Sequence, residues 1–205
     1  MDGSVSRFTL ECVRQALRAR PPSPLPRPLP KQASVALILG QAGSDLELLF
    51  IRRAERPDDP WSGQVAFPGG RAELGEGPLD TAVRETREEV GLDLSREADL
   101  LGGLDEIQAV GRSRVLGLSI RPWVFGLRGP PGPVLSSDEV ASAHWIRLGD
   151  LLDPSREASF HYDLDGATRV LPCLRVGGLV IWGLTYRMFR SFVEVLGRGA
   201  GGKTP

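Results

Sequence analysis

Residues 69–92, GGRAELGEGPLDTAVRETREEVGL, constrain the fold more tightly than any other stretch of this chain. The run begins on a Gly-Gly pair that ends a short apolar segment, QVAFPGG at 64–70, which reads as a strand closed by a bend. Pro78 suits the first turn of a helix. Leu79, Ala82, Val83 and Val90 then make one apolar stripe, and Gly91 is a fitting C-terminal stop. A strand, a tight bend and a helix packed by one face follow from these residues.

The remaining pattern alternates in the same manner. SVALIL (34–39) and LELLFIR (46–52) read as hairpin partners around the turn residues GQAGSD, and RRAERPDDPWSG as a polar loop. Strand-like segments follow near 100–109, 114–127 and 140–146. A short helix is expected over 147–152, strands near 168–174 and 178–182, and a last helix from about 184 to 196. This order suits an α/β fold, a mixed β-sheet with helices on both faces.

The ends differ in composition. Residues 21–30, PPSPLPRPLP, hold six prolines in ten and make a stiff, extended connector. Before it, residues 5–19 are amphipathic, with Arg7, Arg14 and Arg18, and read as a short helix packed on the domain. An organellar targeting segment has a similar look, against which the acidic Asp2 and Glu11 count. The glycine-rich segment 197–205 reads as a flexible tail. The expected organisation is therefore an N-terminal helix (1–20), a connector (21–31), one catalytic-sized domain (32–196) and a tail. The helix on its proline strap is also a candidate for homodimer contact.

Charge and composition exclude several classes. A net charge of −1 gives no global field toward nucleic acid or anionic lipid. No apolar run approaches the ~20 residues of a membrane span. Cys12 and Cys173 are too few and too far apart for a disulfide framework or zinc site, which suits a reducing, cytoplasmic setting. His144 and His161 lack any ligand pattern and read as structural or surface residues.

The chemistry resides in the helix. Glu85, Glu88 and Glu89 stand at i, i+3 and i+4, within about 100° of arc on an ideal helix. Clustered carboxylates repel unless a cation or proton sits among them. Mg²⁺ or Mn²⁺, with its preference for oxygen ligands, would supply the compensation and bridge phosphate oxygens. Taken alone, ETREE reads as a solvated charged face. The flanking residues reverse that reading. Gly70, Glu76, Arg84, Glu85, Glu88, Glu89, Gly91 and Leu92 match the pattern G-x5-E-x7-R-E-U-x-E-E-x-G-U, where U is bulky and apolar. The run thus resembles the Nudix box, with one departure at Thr86.

The resemblance implies a Mg²⁺-dependent pyrophosphohydrolase acting on a nucleoside diphosphate linked to another group, built as an α/β/α sandwich around a mixed sheet. It implies metal-binding roles for Glu85, Glu88, Glu89 and the carbonyl of Gly69, and an orienting role for Arg84. Glu76 would be structural or peripheral. The implied reaction is attack of a metal-activated water on one phosphorus of the diphosphate. The general base is open between a box glutamate and a carboxylate of a later loop. Glu139 is the outside candidate, with Asp105 and Glu106 behind it.

Residues outside the box bear on substrate. Arg53-Ala54, then Gly63 followed by Phe67-Pro68-Gly69-Gly70, are similar to the upstream motif of the coenzyme A pyrophosphatase branch. The Thr of that motif's Leu-Leu-Thr start and its middle Arg are missing, and the loop is one residue longer. The similarity extends over about 34–196. It implies cleavage of CoA to 3′,5′-ADP and 4′-phosphopantetheine. Arg52, Arg53, Arg56 and Arg71 are candidate phosphate ligands, and Trp61 could stack on adenine. Ile107 and Ala109 stand where the ADP-ribose and dinucleoside polyphosphate branches tend to have proline and tyrosine. A nucleotide-sanitising or ADP-ribose-type enzyme is the alternative substrate reading, and a non-catalytic nucleotide-binding module the alternative class.

Overall fold

The computed structural model describes residues 8–199 except 58, 60, 112–113, 135–136 and 165–166. In chain order the elements are α1 (Leu10–Ala19), β1 (Lys31–Ala42), β2 (Asp45–Arg53), β3 (Val65–Ala66), β4 (Gly69–Arg71), α2 (Pro78–Val90) and α3 (Leu94–Glu97). They continue with β5 (Ala98–Gly103), β6 (Ile107–Gly111), β7 (Arg114–Leu127), β8 (Val140–Arg147), α4 (Leu148–Leu151) and a 3₁₀ turn at Pro154–Arg156. The last are β9 (Glu157–Leu164), β10 (Ala167–Val176), β11 (Leu179–Trp182) and α5 (Gly183–Gly199).

The central sheet runs β3-β2-β1-β7-β5, with β4 added on β1, β6 on β7 and β8 on β2. β1 and β7 are parallel, with Ala33 opposite Ile120 and Leu37 opposite Val124, and the other pairs are antiparallel, so the sheet is mixed. Because side chains alternate along a strand, β1 serves two cores. Val35, Leu37 and Leu39 pack with Phe189, Phe192 and Val195 of α5 and Val13 and Leu17 of α1. Ala36 and Ile38 pack with Ala82 and Val90 of α2 and Leu94 of α3. Helices therefore cover both faces of a mixed sheet, the expected α/β sandwich.

A second, three-stranded sheet, β11-β10-β9, was not expected in full. β9 carries Ala158, Phe160, Tyr162 and Leu164 at every second position, a period that would have revealed it. The segment expected as one strand near 100–109 is divided into β5 and β6, and α5 continues to Gly199, past the boundary expected at 197. From residue 200 the expected tail lies outside the described residues, as do Asp2 and Arg7.

The amphipathic N-terminal segment buries its apolar face in the domain. Thr9 caps α1 by accepting the N–H of Cys12, and Val13 and Leu17 are buried. A Cβ on Gly102 would lie 2.8 Å from that of Leu17, so β5 admits the helix by omitting a side chain. Arg14 reaches Asp99 at 3.5 Å. The proline connector is fastened down: the N–H of Ser23 donates to Asp105 Oδ1 (2.8 Å) and that of Leu25 to Glu106 Oε2 (2.9 Å). Arg20 also pairs with Asp105, and Arg121 with Glu106. Both carboxylates, the further candidates for general base, thus anchor the strap, and neither lines the cavity of the candidate site.

Candidate active site

The Gly-Gly bend is fixed from both sides. Phe67 is buried and stacks on Phe50, ring centroids 4.9 Å apart, while the carbonyl of Pro68 accepts the N–H of Ala36 (2.8 Å). Gly69 then pairs with Val35 and Gly70 with Ser34. Gly69 has φ 148°, and a Cβ there would meet Ser34 O at 2.3 Å and Val35 Cα at 2.6 Å. Only glycine fits against that backbone. A Cβ on Gly70 would lie 2.4 Å from Glu85 Oε1, so the second glycine leaves the space that the carboxylate occupies.

α2 starts at Pro78 and stops at Gly91, whose φ of 73° is left-handed and whose N–H caps Arg87 O. Its buried side includes Thr81, Ala82, Thr86 and Val90, and extends to Glu89, which is 3% exposed. The apolar and acidic arcs thus overlap at Glu89. Thr86, the one departure from the box, is fully buried, and its hydroxyl donates to Ala82 O at 2.7 Å. The polar group is satisfied within the helix, so threonine serves at an apolar position.

The three carboxylates have different environments. Glu89 Oε2 accepts the N–H of Gly69 at 2.8 Å, and Arg53 Nη1 lies 3.7 Å from Oε1. Burial nevertheless pushes its pKa up to about 7, with the charges of Glu85 and Glu139 adding to the shift. Glu85 is half-buried and also raised, first by burial and then, against the pull of Arg84, by Glu88 and Glu139. Glu88 is exposed, and its Oε2 is held by Arg84 Nη1 at 3.0 Å.

Arg84 organises the bend and the helix together. Its Nε and Nη2 grip both oxygens of Glu76 (2.9 and 3.0 Å), and Nη2 also donates to the carbonyl of Arg71 and lies 3.1 Å from Glu85. Glu76 further accepts the Thr81 hydroxyl (2.8 Å) and the N–H of Glu73 (3.0 Å). Hydrogen bonds from Arg84 hold the Glu76 carboxyl down at about 2. The Arg84 guanidinium is held protonated by the same contact. Arg84 and Glu76 clamp the loop that leads from the bend into α2.

Glu85 and Glu89 open on a cavity of about 690 Å³. Gly69, Gly70, Arg53, Arg56, Arg71, Trp61 and Glu139 share its wall. Tertiary structure thus brings Glu139 from the segment before β8 to the two helix acids. Its Oε1 pairs with Arg56 Nη1 at 3.1 Å and its carbonyl accepts the N–H of Ala54. Arg53 is committed to Asp59 (2.8 Å). Among the described residues the side chain of Arg71 has no partner. Arg52 does not line this cavity but a neighbouring one. The sequence reading missed an apolar wall, made by Leu118 and Ile120 of β7 and Leu184, Thr185 and Met188 of α5. Alternation in 114–127 is a signal that would have found Leu118 and Ile120, but nothing local ties α5 to the box. The Thr185 hydroxyl donates to Val65 O (2.9 Å), fastening α5 to the strand before the bend. His144 bonds Ser142 and His161 is exposed, so neither joins the site.

Among the described residues no three acidic, histidine or cysteine side chains converge closely enough to hold a metal ion by themselves. The donor set still fits a small hard cation: two carboxylates on one wall carry raised pKa values, and a glycine cradle keeps one of them against the backbone.

Comparison with known proteins agrees with this geometry. The NUDIX domain description matches residues 29–164. An uncharacterised protein of Schizosaccharomyces pombe, C14C4.10c, is 36% identical over 72% of this chain and 51% of its own length. A protein named peroxisomal coenzyme A diphosphatase ndx-8, from Caenorhabditis elegans, is 36% identical over 65% of this chain and 56% of its own. This chain therefore spans only about half the length of those two relatives. The mitochondrial coenzyme A diphosphatase NUDT8 of Homo sapiens is 30% identical over 89% of this chain and 73% of its own length. Among solved structures, a MutT/nudix family protein from Enterococcus faecalis superposes with TM-score 0.55 at 16% identity, covering 82% of this chain and 62% of its own. The MutT protein from Methanosarcina mazei Go1 superposes with TM-score 0.52 at 19% identity, covering 88% and 97%. With the sandwich, the glycine bend and the clamped glutamate helix all in place, the chain belongs to the Nudix hydrolase family.

Proposed function

We propose that this Nudix hydrolase cleaves the diphosphate of coenzyme A or a CoA derivative, with Mg²⁺ or Mn²⁺, to 3′,5′-ADP and 4′-phosphopantetheine. The observation that carries the reading is the meeting of Glu85, Glu89 and Glu139 with Arg53, Arg56 and Arg71 on a cavity whose other wall is apolar. Acids and arginines together suit a diphosphate, and the apolar wall suits an uncharged arm. Two relatives named as CoA diphosphatases support the same substrate.

Glu85 and Glu89 would hold the cation, with the Gly69 carbonyl beside them and Glu88 joining by release from Arg84. The bound cation supplies charge neutralisation at the diphosphate oxygens and a more acidic water. The remaining work falls to the chain. Arg84 and Glu76 fix the helix against the bend. Arg71, whose side chain has no partner among the described residues, takes a phosphate oxygen. Glu139, poised by Arg56, accepts the proton of the attacking water. Trp61, half-buried on the cavity wall, bounds the site.

Two relatives carry peroxisomal and mitochondrial in their names, which differ from the cytoplasmic setting that cysteine usage suits. Among the described residues no helix is long and apolar enough to cross a membrane. Burial of the apolar face of α1 favours an integral helix over a targeting leader.

The test is a Mg²⁺-dependent hydrolysis panel of CoA, ADP-ribose, NADH, diadenosine polyphosphates and oxidised dNTPs. CoA is expected to give the highest kcat/KM, and the Glu88→Gln/Glu89→Gln double variant to lose turnover while remaining folded. Preference for another nucleotide would replace the substrate, and no turnover at all would favour a binding module.

A further inference from the structure

Behind the loop that carries Trp61 lies a second cavity, of about 420 Å³, that the proposed reaction has not used. It shares Asp59, Gln64 and Val65 with the first cavity, so the two are joined across one short segment. Its far wall is aromatic. Phe160 and Tyr162, two apart on β9, face Trp182 at the end of β11. The Phe160 and Trp182 rings stack at 4.3 Å and 27°, and Tyr162 lies 5.1 Å from Trp182. All three are only half-buried. Gly63 and Gly178, among the other lining residues, put no side chain into the space.

Arg52 stands at the same cavity, exposed. Among the described residues its guanidinium has no ion pair and no side-chain hydrogen bond. The nearby acid, Asp59, is already paired with Arg53 and accepts the N–H of Trp61. An open aromatic shelf beside an uncommitted guanidinium is the composition of a site for a planar base carrying a phosphate.

We infer that Phe160, Tyr162, Trp182 and Arg52 form the site for the base end of the nucleotide, a base stacked on the shelf and a ribose-borne phosphate on Arg52. The inference rests on the hydrolase reading for its substrate class and goes beyond it in location. It moves the base from Trp61, expected from sequence to stack on adenine, to the far side of the 59–65 segment. The two-chambered shape follows: a diphosphate at Glu85 and Glu89, the apolar arm against Ile120 and Met188, and the base on the small sheet. The self-stacking of the three rings would also stabilise that sheet, so the test must read ligand and not stability alone.

The experiment titrates the full chain calorimetrically with adenosine 3′,5′-bisphosphate, and separately with 4′-phosphopantetheine, in the presence of EDTA. Trp182→Ala is expected to weaken the bisphosphate by about 10–100-fold, the loss of one base stack, with Trp182→Phe close to wild type. Arg52→Ala, at an exposed position that does not endanger folding, is expected to weaken the bisphosphate by about tenfold or more, with plain adenosine unaffected. Neither change is expected to alter 4′-phosphopantetheine binding. On the unmutated protein, 8-azidoadenosine 3′,5′-bisphosphate should label peptides from 157–164 or 179–182. Labelling confined to the Trp61 peptide, no measurable nucleotide binding, or equal loss of both ligands in Arg52→Ala would overturn the inference. Since these readouts need no turnover, shelf labelling without CoA hydrolysis refutes only the hydrolase substrate, and hydrolysis with labelling elsewhere refutes only the shelf.

Discussion

Gly70 and Glu85 touch with no room for a methyl group between them, the position of a Cβ on Gly70 lying 2.4 Å from Glu85 Oε1. The carboxylate is the far end of a flexible side chain, so it can move aside at little cost. Gly70→Ala is therefore expected to lower stability by less than about 1 kcal/mol while displacing Glu85 and reducing kcat by about 100-fold or more. The neighbouring Gly69→Ala meets backbone, Ser34 O and Val35 Cα, at a φ that alanine resists. A loss of about 2–4 kcal/mol is expected there. Chemical denaturation beside steady-state kinetics separates the two, and the idea fails if Gly70→Ala is the less stable variant.

The Glu76–Arg84 clamp gives a pH-dependent share of stability. The folded carboxyl titrates at about 2, below the ordinary 4.5. A depressed acid contributes stability that is fully present above its unfolded value and disappears as pH falls from about 4.5 toward 2. Glu76→Gln is expected to cost about 1–3 kcal/mol at pH 7 and roughly half of that or less at pH 3, the charged pair being partly solvent-screened. Urea titrations at the two pH values measure this, and an equal cost at both would disprove the clamp.

Glu139 is half exposed and, among the described residues, its side chain pairs only with Arg56. Replacing it should leave the melting temperature within about 2 °C of wild type. As acceptor of the water proton it should matter for rate: Glu139→Gln is predicted to reduce kcat by about 10²–10⁴-fold with KM changed little. A fall below tenfold would return the role to a box glutamate.

Leu17 of α1 is 3% exposed and seats over Gly102. Leu17→Ala is expected to destabilise the domain by about 2–4 kcal/mol, because the cavity lies between α1 and β5. Thermal melts would show it, and a melting temperature equal to wild type would mean that α1 contributes nothing to the fold.

How much was legible varies by element. The hairpin of β1 and β2, the bend and α2 could be read because each is fixed by local signals: alternation, Gly-Gly, Pro78 and Gly91. One strand of the three-stranded sheet, β9, was missed, although Phe160 and Tyr162 alternating with polar residues carried its period. Asp105 and Glu106 looked like candidate bases because an acid's partner is invisible in sequence. Here the partners are Arg20, Ser23 and Leu25, about eighty residues away.

Spacing along one helix and one bend is a local property, so the sequence by itself determined the glutamate face, the glycines beneath it and Arg84. Which acids are buried, which arginines are already paired and what lines the opposite wall depend on chain crossings over long separations. Tertiary structure alone decided that Glu89 lies in the core against Gly69, that Glu139 joins it while Asp105 does not, and that Arg52 faces an aromatic shelf. The reason is physical: a charge is set by its solvation and its neighbours, and packing supplies both.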